Sequence, residues 1–172
     1  GEFYQQELLM NHLGITIDER PVVAAALAVE QRTGAPAAAI ELPDGRIATG
    51  KTSSLLGAST AALLNALKML AGIDDSIHLI APSVIEPISH LKVNHMGNHN
   101  PRLHMDEILI ALAICAGSDP NAAAAMEALA SLKRCEAHST VILSHVDVNV
   151  FSKLGMNLTC EPKYQTKKLF HR

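Results

Sequence analysis

The sequence predicts a three-layer α/β/α domain built on a mixed sheet of about five strands. Three observations predict it. Two short apolar runs, "AAAIEL" and "RIATG", flank a Pro-Asp-Gly turn and read as an antiparallel hairpin. Near the other end, "STVILS", "VDVNVFSKLG" and "MNLTCEP" follow one another as strand, helix and strand, the signature of a parallel crossover. Between them lie several segments with helical periodicity, in a chain of 172 residues that is 48% hydrophobic and so long enough and apolar enough for one real core.

The elements follow in order. "DERPVVAAALAVEQRTG" reads as a helix capped by Asp18, with Pro21 in its first turn and Gly34 at its end. After the hairpin, "GASTAALLNALKMLAG" carries Leu63, Leu64, Leu67 and Leu70 on one face and stops at Gly72. "IHLI" is a short apolar run of buried-strand type. "PSVIEPISHLK" reads as a helix opened by Pro82 and bent near Pro87. "MDEILIALAICAG" and "DPNAAAAMEALASLK" are two helices parted by "GSDP". The span 95–133 reads as a mostly helical insertion between the third and fourth strands. No internal repeat or low-complexity tract interrupts this single domain, and the basic tail "KYQTKKLFHR" reads as a solvated end.

Composition narrows the function. A net charge of −3 gives no electrostatic reason to expect nucleic acid or an anionic membrane as partner. The longest strongly apolar run, "ILIALAICA", is too short to span a bilayer, and no basic-then-apolar leader opens the chain. "GEF" at residues 1–3 reads as a cloning scar. Cys115, Cys135 and Cys160 are odd in number, widely spaced and without a C-x-x-C, which points to a reducing cytoplasm, with Cys115 as plain core.

Residues 45–52, "GRIATGKT", satisfy the phosphate-loop pattern letter by letter. That loop needs a strand ending before Gly45 and a tight turn through the middle four residues. "RIAT" instead suits a strand returning from the turn, where Gly45 supplies a positive φ. Lys51 and Thr52 then fall at a strand end, where open α/β sheets place ligands.

The densest polar stretch is 94–107, "NHMGNHNPRLHMDE", with three histidines, three asparagines, one arginine and two acids in fourteen residues. Three readings compete. As a helix start, Asn100 caps before Pro101 while Asp106 and Glu107 favour the positive end of the helix dipole. As an anion or substrate pocket, Arg102 clamps a carboxylate or phosphate, Asn98 and Asn100 supply hydrogen bonds, Gly97 lets backbone come close, and His99 or His104 moves a proton. As a metal site, His104 and Glu107 share a helix face, with His95 and His99 as further ligands, though no H-E-x-x-H is present. Elsewhere, His78 reads as a satisfied sheet histidine. "HST" at 138–140 begins a strand and is placed to face the same cleft, and Ser144 and His145 end that strand, where ligands gather; without a G-x-S-x-G elbow, a serine nucleophile there is the weakest reading.

"AIELPDGRIATGKTSSLLGAS", "GNHNPRLHMDEILIAL" and "NLTCEPKYQTKKLFH" are characteristic of one bacterial family. From about residue 8 to its end the chain resembles the C-terminal region of "domain of unknown function 1846". The resemblance implies a fragment of a longer cytoplasmic protein whose N-terminal portion carries its own glycine-rich, phosphate-loop-like segment. Some members are labelled ATP-dependent peptidases, and the resemblance leaves the reaction open.

"DGRIATG", a loop, and a helix with "ALLNALK" also resemble the opening of the cytidine-deaminase fold. That fold carries a zinc ligand and a catalytic Glu in [HC]-A-E, where this chain has Gly57 and Ser59. Its other ligands lie in P-C-x-x-C, where this chain has Ser83 and Glu86. The likeness therefore implies a member without zinc.

The expectation is an enzyme part. A metal-free cleft near Lys51, Thr52 and Ser53, with Asn98, His99, Asn100, Arg102 and His104, would bind a small anionic or nucleotide-like substrate. Arg102 would hold the anion, Lys51 would stabilise developing charge, and His104 or His99 would move a proton. No cofactor is expected in this fragment; a nucleotide would enter through the N-terminal part of the longer protein. That part and further copies of the chain are the expected partners. The alternative is a non-catalytic oligomerisation or regulatory domain of a larger nucleotide-using protein, with "NAAAAMEALASL" suited to close helix packing.

Overall fold

The computed structural model describes residues 20–164. Helix α1, Pro21–Thr33, leads into strands β1, Ala37–Glu41, and β2, Ile47–Lys51. Helices α2, Ala58–Ala71, and α3, Pro82–Asn94, come next, followed by α4, Met105–Cys115, and α5, Pro120–Ala128. A 3-10 turn at Leu129–Leu132 leads to β3, Glu136–Ser139, then α6, His145–Lys153, and β4, Asn157–Cys160.

The sheet runs β2-β1-β3-β4, with β1 antiparallel to both neighbours and β3 parallel to β4. Strands β2, β3 and β4 therefore point one way and β1 the other, so the carboxyl ends of β2 and β3 share one edge of the sheet. Alternation along β1 divides its faces. Ala39 packs with Val22, Val23 and Ala26 of α1, while Ala38 and Ile40 belong to the larger core with α2, α4, α5 and α6. Helices thus cover both faces.

Turn chemistry sets the hairpin. Gly45 takes φ 90 in the Pro-Asp-Gly turn and donates its N–H to the Leu42 carbonyl at 2.9 Å. "RIAT" is strand, so no phosphate loop forms there. Gly50 has a different task. A Cβ on it would lie 2.2 Å from the Ala62 nitrogen and 2.7 Å from the Ala58 oxygen, so its lack of a side chain lets α2 settle directly on β2.

Several expectations shift. The sheet has four strands among the described residues, because "IHLI" does not pair. Leu79 and Ile80 are buried, but the chain turns at Asp74–Ile77 and the run plugs the core beside α2 and α3. An apolar tetrapeptide reports burial rather than backbone conformation. His78 is accordingly exposed, outside regular structure, and not a sheet histidine. Span 95–133 is the later half of one long connection from β2 to β3. Strand β3 begins three residues before "STVILS" and stops at Ser139, whose Oγ accepts the Val141 N–H at 3.2 Å and turns the chain away. Helix α4 starts at Met105, well after Asn100. The expected cap Asp18 lies outside the described residues, as does the tail from residue 165. Cys115 is half-buried against the core, and all three thiols are free. Among the described residues no helix is long and apolar enough to cross a membrane.

Candidate functional site

A cleft of about 170 Å³ opens at the edge shared by the carboxyl ends of β2 and β3, the place where open α/β sheets present ligands. Four segments build it: Thr52 just after β2, Gly57–Ser59 at the start of α2, Asn100–His104 before α4, and Val141–Ser144 leading into α6, with Asp147 behind. Three helices begin on this one cavity. Each start carries N–H groups without intrahelical partners and the positive end of a helix dipole.

The strap 101–105 is held rigidly. The Pro101 carbonyl accepts from Ser89 Oγ at 2.6 Å, the Arg102 carbonyl from Lys92 Nζ at 2.6 Å, and the Leu103 carbonyl from Thr60 Oγ1 at 3.1 Å. On the donor side, the Arg102 N–H goes to Asn100 Oδ1 at 3.0 Å and the Leu103 N–H to the Leu55 carbonyl at 3.0 Å. The His104 N–H reaches Glu107 Oε1 at 2.8 Å, and the Met105 N–H reaches Asp147 Oδ1 at 3.0 Å. Every strap N–H and the carbonyls of 101–103 are thus paired, mostly with side chains from the surrounding helices, so the loop keeps one conformation while lacking a sheet of its own. Leu103 also forms a parallel bridge with Leu56, which ties the strap to the loop before α2.

That frame positions two side chains. Arg102 is buried, and its Nε donates to the Ser53 carbonyl. Desolvation lowers its pKa from the ordinary arginine value. His104 Nδ1 lies 3.6 Å from Asp147 Oδ2. The Asp147 carboxylate raises the His104 pKa above the ordinary histidine value, against partial burial and the Lys92 charge. Asp147 is itself 8% exposed and is fixed at the first turn of α6, where its N–H reaches Ser144 Oγ at 3.3 Å. With Nδ1 facing Asp147, that carboxylate sets the side of the ring it meets.

Ser59 also lines the cleft. It is 2% exposed, and its Oγ has no hydrogen-bond partner. Gly57, the residue that caps α2, offers that helix start no side-chain acceptor.

Of the residues the sequence singles out, the cleft gathers Thr52, Asn100, Arg102 and His104. Lys51 is exposed at the end of β2, and Asn98 and His99 are exposed on the loop before the strap; none of the three is in the lining. Ser53 is exposed and lines a neighbouring, more apolar cavity of about 230 Å³, touching the cleft only through its carbonyl on Arg102. Ser83 and Glu86 are exposed on α3. As for a metal, His95 and His99 are exposed and Glu107 is taken up by Lys92 and the His104 N–H. Among the described residues, no three His, Cys, Asp or Glu side chains come together as a metal site requires. Asp147 is the cleft residue that the sequence reading did not single out. Its signal was present in "SHVD", a capping-box spacing ahead of a helix.

A family model described as "Domain of unknown function DUF1846, C-terminal" matches residues 18–170. The chain belongs to this family. Among its relatives is a UPF0371 protein of Corynebacterium efficiens, 54% identical over 165 residues, covering 96% of this chain and 33% of the relative. UPF0371 proteins of Streptococcus pyogenes and Streptococcus thermophilus are 54% and 55% identical over 166 residues, covering 96% of this chain and 34% of each relative. This DUF1846 C-terminal domain therefore spans about a third of the length of the curated relatives it matches. The strap and the cleft fall wholly inside the matched region.

Proposed function

We propose that this domain is the substrate-binding part of a larger cytoplasmic enzyme, and that its cleft takes a small anionic substrate. Arg102 supplies the positive charge, Asn100 and Thr52 border the bound group, and His104, oriented by Asp147, moves a proton. The observation that carries this reading is the meeting of a buried arginine with an aspartate-paired histidine in one cleft where three helices begin. A raised histidine pKa suits a group that arrives protonated and acts as an acid, or that stabilises negative charge on the substrate. Lys51, Asn98 and His99 carry no step in this scheme.

The test is a thermal-shift screen of phosphorylated and carboxylated metabolites on the chain and on its full-length relatives. At least one anion class should raise Tm in the wild type and lose that effect in Arg102→Ala. If no anion shifts Tm in either protein, the reading fails.

A second reading has its own observation. Ile110 and Ile114, 62% and 74% exposed, stand one helical turn apart on α4 with exposed Ala113 between them. Such a ridge supports a homo-oligomer that uses α4. Light scattering on Ile114→Glu would show a drop in mass if the ridge is the contact.

A further inference from the structure

We infer that the anionic group held in this cleft is a phosphate, seated at the start of α2 on the Ser59 hydroxyl and the first backbone N–H groups of that helix. The inference rests on the proposed anion-binding cleft and deepens it by naming the group and the residue that selects it.

Three helix starts reach the cleft, and two of them are already satisfied. At α6, Ser144 Oγ accepts the Asp147 N–H. At α4, Glu107 and Asp147 accept the His104 and Met105 N–H groups. Only α2 begins without a side-chain cap, because its capping residue is Gly57. The N–H groups of Ala58, Ser59 and Thr60 precede the first intrahelical bond, which runs from Ala61 to the Gly57 carbonyl at 3.0 Å. A Ser, Thr or Asp at position 57 would fold its oxygen onto those donors and close the seat.

The second observation is independent of the helix. The Ser59 hydroxyl is buried and has no partner, in a residue that lines the cleft. Such a group is unfavourable in a folded protein unless a ligand or a water completes it. Its neighbour Thr60, equally buried, is satisfied by the Leu103 carbonyl, so the environment does provide partners where the architecture requires them.

The number of donors selects the ligand. The first N–H groups of α2, the Ser59 hydroxyl and the Arg102 side chain border the one cleft. A tetrahedral phosphoryl group offers three oxygens with lone pairs spread around it, whereas a planar carboxylate offers two in one plane. Ser59 then plays the part of a selecting residue, and His104 with Asp147 stands across the same cleft, next to whatever the phosphate is attached to.

The experiment is a titration of the 15N-labelled chain with inorganic phosphate, with acetate as the carboxylate control, alongside thermal melts of the wild type and Ser59→Ala. Phosphate is expected to shift the amides of Ala58, Ser59 and Thr60 and to do so at least tenfold more tightly than acetate. Ser59→Ala is expected to melt at or above the wild type without phosphate, since it removes an unsatisfied buried hydroxyl, and to gain less Tm from phosphate. Shifts confined to Arg102 and His104, or an unchanged phosphate gain in Ser59→Ala, would overturn the seat and leave the cleft reading standing. Equal affinity for acetate would overturn the choice of phosphate. No shift anywhere in the cleft with either anion would overturn both.

Discussion

Lys92 and Glu107 form an ion pair at 2.8 Å, with the lysine side chain only 5% exposed. The same ammonium holds the Arg102 carbonyl, so a single buried charge joins α3, the strap and the first turn of α4. Lys92→Met should cost about 3 kcal/mol, because it strands a carboxylate and a carbonyl together. Urea melts check the loss. Glu107→Gln, which keeps an acceptor for the His104 N–H, should cost less than Lys92→Met. A Lys92→Met protein as stable as the wild type would remove the strap's supposed anchor.

Two histidines give the fold opposite pH responses in separate windows. The His104 pKa is raised in the folded protein by Asp147, so its stabilisation is complete below the unfolded value of about 6.5 and fades as pH rises through the higher folded value. His138 behaves in reverse. It is fully buried between Thr159 Oγ1 at 2.7 Å and Glu161 Oε2 at 2.9 Å, and burial, helped by the Arg20 charge, pushes its pKa down to about 4. The unfolded chain then binds the proton more readily, and stability falls as pH drops from about 6.5 toward 4, by up to about 3 kcal/mol. Denaturant midpoints across pH 4 to 9 should show the acid-side loss shrink in His138→Gln and the alkaline-side loss shrink in Asp147→Asn. NMR titration of Asp147→Asn should show the His104 midpoint moving down.

Gly50 should tolerate no side chain. Gly50→Ala places a methyl group into the backbone of α2 and forces the helix away from β2, at a cost of about 3 kcal/mol. Since Ala58 lies at that contact, the displacement also spreads the cleft. The expected result is a lowered Tm together with a weaker anion-dependent rise in Tm. A variant with wild-type Tm would mean that the sheet and α2 adapt more readily than their packing implies.

The elements with local chemistry were legible in the sequence. Pro21 and Gly34 bracket α1, the Pro-Asp-Gly turn makes the hairpin, and Gly72 ends α2 with φ 69. "IHLI" was not, because burial of Leu79 and Ile80 says nothing about hydrogen bonding to a neighbouring strand. The site was half legible. The density of "NHMGNHNPRLHMDE" pointed to Asn100, Arg102 and His104, all of which line the cleft. It could not separate them from Asn98 and His99, which differ only in lying before the Asn100 turn that swings the chain inward. Asp147, 43 residues beyond His104, reaches it only through the tertiary arrangement of α4 and α6. The competing views of the stretch as cap or pocket also merge. His104 and Glu107 frame the helix start, and the same strap brings Arg102 into the cleft.

The fully bonded strap bears on how this region can change over time. Each position from 101 to 105 has its own fixed counterpart, so a one-residue deletion would slide Leu103 into the slot of Arg102 and hand every later residue the wrong partner. Many side chains there could be exchanged one at a time with local effects. For folding, spacing is far less forgiving than identity, because it is the backbone groups of this segment that make the bonds.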